Sequence, residues 1–389
     1  MKALSFSYIF IYSFLGIYCS LLSLHFSNLG FDGKKIATFF SIIPAISFFF
    51  NLYWGRIADH FNYLKKLNML LPLAGALGYA IAIYIDTYPS YLFLALVTGV
   101  IINPLFTLSD SITMSFCKKN TYPFGNIRQW GTMAFSFINF SLLLFFYCSS
   151  DVKVILEKNI HLLLYLMPLL LFFRFISSIF LPEQSDKENK ISVFQFLKLM
   201  KNKSLLLFLI SCMFHSMSSV SNYVYLSPFL KSINCTSGFI ALCWAISPLL
   251  EIFVFRYSHV ILNRISLQTI FRISILSGIL RWLIMTMTEN QTVILWSQLL
   301  HTFGFGTYFL ATIHVLMNNI PEKVRSSGQG FFNAFAGMLG LIISNQILGQ
   351  IIQYFPLVSV FYAAVIFSSI AYVVSLLIPK VFWVGHALE

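Results

Sequence analysis

Residues 91–148 read YLFLALVTGVIINPLFTLSDSITMSFCKKNTYPFGNIRQWGTMAFSFINFSLLLFFYC. Two apolar runs, roughly 91–117 and 124–148, flank one short polar turn that begins at Lys118-Lys119. Each run exceeds the about 20 residues a helix needs to cross about 30 Å of hydrocarbon. Neither consists of the alternating segments of about ten residues that a membrane barrel shows. The stretch therefore predicts a helical hairpin through a membrane. Its polar residues are out of place: Asp110 lies eight residues before Lys118, and Arg128 nine after Lys119. At about 1.5 Å per residue both lie roughly 12–14 Å inside the same boundary. A charge at a helix centre costs about 2.5–3.5 kcal/mol on insertion scales.

The rest of the chain repeats the pattern. Of 389 residues, 58% are hydrophobic, 17% aromatic and 10% charged. A soluble domain carries about 25% charged residues, so composition excludes a soluble enzyme, a disordered chain and a nucleic-acid binder. Twelve spans are expected, at roughly 4–27, 36–57, 67–86, 91–117, 124–148, 161–181, 204–230, 237–259, 268–288, 292–318, 326–352 and 357–380. With the N-terminus in the cytoplasm, sixteen Lys and Arg fall in the cytoplasmic turns and five on the other side. The net charge of +12 thus reads as a topology signal. Both termini are expected in the cytoplasm of a multi-pass protein of a bacterial inner (plasma) membrane. The N-terminal apolar run is too long for a signal peptide and lacks a small-x-small cleavage site. The six cysteines show no CxxC pair or metal-ligand spacing and read as small buried hydrophobes. No metal, cofactor or nucleic-acid partner is expected, and the state expected is a monomer in the lipid bilayer.

A charged stretch from Pro182 to Lys203 divides the spans six against six. The expected organisation is all-α, with two pseudo-symmetric six-helix bundles, 1–181 and 204–389, joined by a cytoplasmic linker at 182–203. Within the linker, amphipathic Ile191–Met200 is expected on the membrane face.

The remaining ionisable residues at membrane depth are Arg174, Glu251, Arg272 and Arg281, with His215, His301 and His314. Such residues face a bundle interior or cavity, paired with one another. Arg174 and Arg272 lie near helix ends, from which they could snorkel to an interface. Asp110 and Arg128 could meet across their hairpin, either as a structural salt bridge or as a clamp for substrate oxygens. Glu251 is expected mid-helix in span eight. Arg281 and His301 lie eight residues before and twelve after Glu289, at nearly equal depth. These three form either a static polar network or a proton-handling set. His215 and His314 read more simply as satisfied interior histidines.

Gly55-Arg56-Ile57-Ala58-Asp59, followed by Lys65-Lys66, fills the turn between spans two and three. This resembles the G-x-L-A-D-[RK]-x-G-[RK]-[RK] loop of the major facilitator superfamily. The resemblance implies a conformational latch in which Gly55 permits close helix approach, Asp59 caps a neighbouring helix, and Lys65 and Lys66 complete the motif. Phe124–Phe135, FGNIRQWGTMAF, is similar to the pattern opening the fifth span in that superfamily's phenylpropionate permease and lactose permease (oligosaccharide:proton symporter) branch. Pro104–Asp110, Leu242-Cys243-Trp244 with Glu251, Arg281-Trp282 and Gln298–His301 match further elements of that branch in order. The resemblance places Asp110 and Arg128 at the branch's sugar-binding acid and arginine, and Phe135 at its sugar-stacking Trp. Glu251 matches its acid linking sugar binding to protonation, and Arg281 and His301 its proton-coupling pair. Gly304 stands where the branch carries its transported proton on a carboxylate, and Gln298 replaces a Lys.

The function expected is secondary active transport by alternating access: proton-coupled import of a small organic anion, such as an aromatic carboxylate. Asp110, Arg128, Trp130, Phe135, His215, Tyr223, Trp244, Glu251, Arg281 and His301 are the candidate substrate-binding residues; Glu251, Arg281 and His301 also handle the proton. A polycarboxylate siderophore or a sugar-like solute is the alternative cargo, and a multidrug or metabolite exporter the alternative of the same fold. Intramembrane catalysis is disfavoured by the lack of nucleophile or HExxH constellations.

Overall fold

The computed structural model describes residues 1–61, 63–120, 122, 124–147, 160–182, 202–319 and 332–384, except the side chains at 52, 56, 59, 60, 118, 259 and 317. Within these residues the secondary structure is helical, with no strand. Twelve helices are long and apolar enough to cross a membrane. They are α1 Lys2–Asn28, α2 Gly33–Gly55, α3 Leu64–Ile85, α4 Tyr88–Cys117, α5 Phe124–Tyr147 and α6 Ile160–Ile179. There follow α7 Lys203–Tyr223, α8 Ser237–Arg256, α9 Leu267–Met287, α10 Gln291–Leu316, α11 Asn333–Tyr354 and α12 Ser359–Leu376. The twelve runs legible in sequence are these helices, shifted by a few residues.

Helix starts follow local chemistry. The Asn202 side chain accepts from the Ser204 and Leu205 backbone N–H groups ahead of α7, and Asn290 does the same for Thr292 and Val293 ahead of α10. Thr236 and Ser266 cap α8 and α9. Each satisfies backbone donors that a helix N-terminus leaves open. Where α1 meets α5, a Cβ on Gly16 would lie 2.5 Å from Ile138 and 2.9 Å from Asn139, so only glycine permits this approach.

Contacts divide the chain into two compact units. The first takes the described residues of Met1–Lys187 with Leu226–Ile252, the second those of Glu188–Tyr225 with Phe253–Glu389. One core in the first unit gathers Leu4, Tyr8, Ile11, Leu105, Leu108 and Ile127. One in the second gathers Phe208, Phe271, Val315, Phe382 and Trp383.

Several expectations change. The run at 204–230 breaks after Tyr223, and Leu226–Ser232 is a separate short helix belonging to the first unit. Glu251 is not mid-helix: α8 is helical over Ser237–Ile246, turns, and resumes at Glu251–Arg256. Pro248 lies in that turn; it supplies no N–H and clashes with the preceding helical turn. The turn is instead closed by bonds from Leu249 N to Ile246 O and from Glu251 N to Pro248 O. Among the described residues, a Cβ on Gly55 would have no neighbour within 4 Å. Lys66 lies over the Tyr63 ring at 4.2 Å, while the side chains of Arg56 and Asp59, the amphipathic stretch Ile191–Met200 and Cys148 lie outside the described residues. The other five cysteines form no disulfide and are buried, as expected.

Where α3 ends, Asp86 takes a left-handed conformation (φ 50°) that closes the helix through its N–H to Ala82 O. Its carboxylate accepts from the Tyr91 hydroxyl at 2.6 Å and lies 3.1 Å from His25 Nε2. Burial pushes the Asp86 carboxyl up, but the Tyr91 and His25 hydrogen bonds outweigh it and hold it below the usual carboxylate range. A carboxyl whose folded pKa is depressed adds stability above its unfolded value, about 4, and loses it as pH falls through the folded value. The thermal stability of the wild type in detergent should therefore exceed that of Asp86→Asn at pH 7, with the gap closing below about pH 4. A gap independent of pH would contradict this.

Candidate functional site

In the first unit, α1 brings an aromatic pair to the two charges of the α4–α5 hairpin. Tyr8 and Tyr12 are one helical turn apart, on the same face. Tyr8 is buried, and its hydroxyl donates to Asp110 Oδ1 at 2.5 Å. The Arg128 guanidinium lies over the Tyr12 ring at 4.1 Å and over Tyr8 at 5.6 Å. Asp110 and Arg128 do not form a direct salt bridge; the only ion pair within 4 Å among the described residues is His25–Asp86. Their coupling runs through space and through Tyr8.

Glu251, 4% exposed, belongs to the same unit. The Arg128 charge acts on Glu251 as well as on Asp110 and both tyrosines. The arginine in electrostatic reach of Glu251 within its unit is thus Arg128. Breaking α8 at Pro248 puts Glu251 at the start of a new six-residue helical piece, its own N–H bonded to Pro248 O at 3.0 Å. Phe135 meets Trp244 edge-on, with ring centroids 6.3 Å apart. Trp244 is buried and anchored by its indole N–H, which donates to Ser227 Oγ at 2.9 Å. Trp130, by contrast, is 42% exposed.

The second unit holds the other cluster. Arg281 is buried on α9 and donates from Nη2 to Asn222 Oδ1 at 2.7 Å and to Gln298 Oε1. Its Nη1 lies 3.1 Å from His301 Nδ1, so the equal depth inferred from the turn at Glu289 is realised as contact. Gln298 also donates to Ile294 O at 3.0 Å, which turns its oxygen towards the guanidinium. His301 stacks on Phe305, and α10 passes there through a π-helical turn at Thr302–Gly306, a distortion common at functional sites. His215 stacks on Tyr308 at 4.2 Å. Tyr223 ends α7, half-buried. Buried Gly304 leaves ordinary room for a side chain, its Cβ position lying 3.6 Å from Ser277 Oγ.

Two further arginines differ in kind. Arg272 is half-buried and donates to Ser375 O at 3.0 Å near the end of α9. Arg174 does not snorkel: it is 0% exposed, inside a knot of Asn68, Ser109 and Ser178. His314 bonds the Leu310 carbonyl of its own helix. The residues missed from sequence are Tyr8, Tyr12 and Asn222. A Tyr pair at i, i+4 and the lone amide inside the α7 run were the signals available.

Gly131 holds the first cluster in shape. A Cβ there would lie 2.7 Å from Tyr12 Cδ2 and 3.2 Å from Arg128 Nη1. Overpacking of this kind costs about 1–3 kcal/mol, so Gly131→Ala should lower the melting temperature in detergent and move the Tyr12 ring. Gly125→Ala, with no neighbour within 4 Å, is the control; equal melting of the two variants would refute the constraint.

The sequence profile of the MFS_1 like family matches residues 1–363. A protein of Escherichia coli (strain K12) named "Probable 3-phenylpropionic acid transporter" is 23% identical over 355 residues, 90% of this chain and 89% of its own. A protein of Bacillus subtilis (strain 168) named "Uncharacterized transporter YwbF" is 22% identical over 344 residues, covering 86% of this chain and 84% of its own. Among solved structures, the nucleoside transporter NupG superposes with a TM-score of 0.79 at 18% identity, covering 97% of each chain. The D-xylose-proton symporter superposes with a TM-score of 0.72 at 14% identity, covering 97% of this chain and 96% of its own. These likenesses identify the fold as that of major facilitator transporters.

Proposed function

Because the chain belongs to the MFS_1 like family, and is thus a multi-pass membrane transporter of small molecules, we propose that it imports an aromatic carboxylate together with a proton. The proposed setting is a bacterial inner membrane with both termini cytoplasmic, and the proposed working state is a monomer. The proposed repeat organisation remains 1–181 and 204–389 about the linker at 182–203.

One observation carries the choice of an anion. Arg128 is laid flat on Tyr12 and is given no hydrogen-bond acceptor among the described residues, so its planar fork of donors is available to a carboxylate. The edge-on pair Phe135–Trp244 supplies aromatic surface in the same unit. A relative named as a probable 3-phenylpropionic acid transporter has a cargo of this chemistry. In the second unit, Arg281 with Asn222, Gln298 and His301 is the proposed second binding cluster; His215 and Tyr223 are proposed as its flanking residues. Trp130 remains a proposed contact through its exposed face.

Proton coupling follows from Arg128's two neighbours. Its positive charge attracts the Glu251 carboxylate. A carboxylate bound on Arg128 offsets that field, so anion and proton assist each other's binding, by equal factors as linkage requires. Glu251 carries the proton in this scheme, with Arg281 and His301 completing the proton-handling set, since Gly304 offers no titratable group.

A hydroxylated, sugar-like solute is the second reading, favoured by Asp110: its second oxygen can accept from a hydroxyl while Tyr8 holds the first. Uptake into proteoliposomes separates the two. With labelled 3-phenylpropionate, an inward proton gradient should drive accumulation, and Arg128→Ala should weaken uptake about 10–100-fold, the worth of charge-assisted hydrogen bonds of about 1.5–3 kcal/mol. Glu251→Gln should keep counterflow and lose gradient-driven accumulation. Transport of xylose or nucleoside but not of 3-phenylpropionate would favour the hydroxylated cargo, and efflux alone would favour an exporter.

A further inference from the structure

Arg174 lies on α6 with no exposed surface, and its hydrogen-bond partners among the described residues are all neutral. Nη2 donates to Asn68 Oδ1 and to Ser109 Oγ, both at 2.9 Å, and Nη1 donates to Ser178 Oγ. Asn68 passes the grip on through Nδ2, which donates to Leu64 O and to Leu108 O. Ser109 in turn donates to Leu105 O at 2.6 Å. The backbone end of Arg174 is gripped too: its carbonyl accepts from Ser177 Oγ, which lies 3.3 Å from Ser7 Oγ on α1. One side chain and its own carbonyl thereby join α3, α4, α6 and, through Ser177, α1.

Two of the anchored residues immediately precede the pair that forms the first cluster: Ser7 precedes Tyr8, and Ser109 precedes Asp110. Consecutive helical residues point about 100° apart. With Ser109 tied towards α3 and α6, α4 cannot turn about its axis, and Asp110 must face α1. With Ser7 tied towards α6, Tyr8 is aimed in the same way. The 2.5 Å bond from Tyr8 to Asp110 is where the two settings meet. A planar guanidinium suits this task because its fixed fork reaches several acceptors at once, which a Lys ammonium on a flexible stem does not. A buried ionic group is weak evidence for stability, and its best-attested use is to fix register.

We propose that Arg174 is a positioning residue for the substrate site: it sets the axial rotation of α1 and α4, and so holds Tyr8 and Asp110 in binding geometry. The proposal rests on the reading of Tyr8, Asp110 and Arg128 as that site, and its test keeps the two apart. The purified full chain is compared as wild type, Arg174→Met, Arg174→Lys and the double variant Ser7→Ala with Ser109→Ala. The carboxyl band of Asp110 in the infrared spectrum, assigned as the band lost in Asp110→Asn, reports the Tyr8 bond directly. Calorimetric titration with 3-phenylpropionate reads the dissociation constant, with Arg128→Ala as reference.

Arg174→Met is expected to melt no lower than wild type, to shift the Asp110 band, and to raise the dissociation constant about tenfold. Arg174→Lys is expected between the two. If Arg174→Met does not fold, the double serine variant, which leaves the guanidinium in place, should still shift the band. An unmoved Asp110 band in whichever of these variants folds would overturn the proposal. So would an unchanged dissociation constant in Arg174→Met beside a lost one in Arg128→Ala. If Arg128→Ala binds 3-phenylpropionate like the wild type, the substrate-site reading fails, while a shifted band still supports the role of Arg174 in aiming Asp110.

Discussion

A cation inside hydrocarbon has no water to turn to, so the protein must supply everything its N–H groups and its charge require. This chain meets that demand largely without counter-ions. Arg174 is surrounded by an amide and two hydroxyls, and Arg128 rests on tyrosine faces. The single ion pair among the described residues, His25–Asp86, lies at the end of a span rather than within one. Solvating a charge with dipoles and π-faces lowers its cost without cancelling it. What remains is a positive charge inside the helices, which acts on the acids and tyrosines near it.

The same side chain has opposite outcomes at positions 128 and 174. Arg174 spends its terminal donors on three neighbouring side chains, and its reward is rigidity. Arg128 has a ring beneath it and no acceptor around it among the described residues, so its plane is oriented while its donors stay unspent. Preorganisation of this sort cuts the ordering cost of binding. Gly131 belongs to the same design: only a residue without Cβ lets α5 bring Arg128 this close to Tyr12.

The helices were legible because continuous apolar runs bounded by charged turns have one economical solution in a membrane. The depth of Arg281 and His301 was legible for the same reason, as residue counting from a shared turn fixes height along antiparallel helices. Azimuth was not. Whether Asp110 turns to Arg128 or to Tyr8 depends on which face of α4 the neighbouring helices hold, and hydrophobicity nearly uniform around a span hides that face. Distance from a helix end leaves Arg174 either outcome, and the buried Asn68 and Ser109 decide for the interior. The break in α8 falls at Pro248, but a proline alone does not announce one, because Pro44 and Pro72 within α2 and α3 leave those helices continuous.

The break at Pro248 also bears on the chemistry. In an unbroken α8, Glu251 would sit within a continuous hydrogen-bonded ladder, with no backbone donors turned towards it. Starting a new six-residue piece at Glu251 takes the residue out of that ladder, and the charge of Arg128 acts on its side chain. In the proposed cycle, a cation beside a buried acid makes the acid's ionisation depend on what else occupies the site, which is the condition for coupling a proton to an anion. Substrate contact and proton carriage in that cycle both fall on Arg128 and Glu251 as a pair, and neither residue can be altered without disturbing the other's partner.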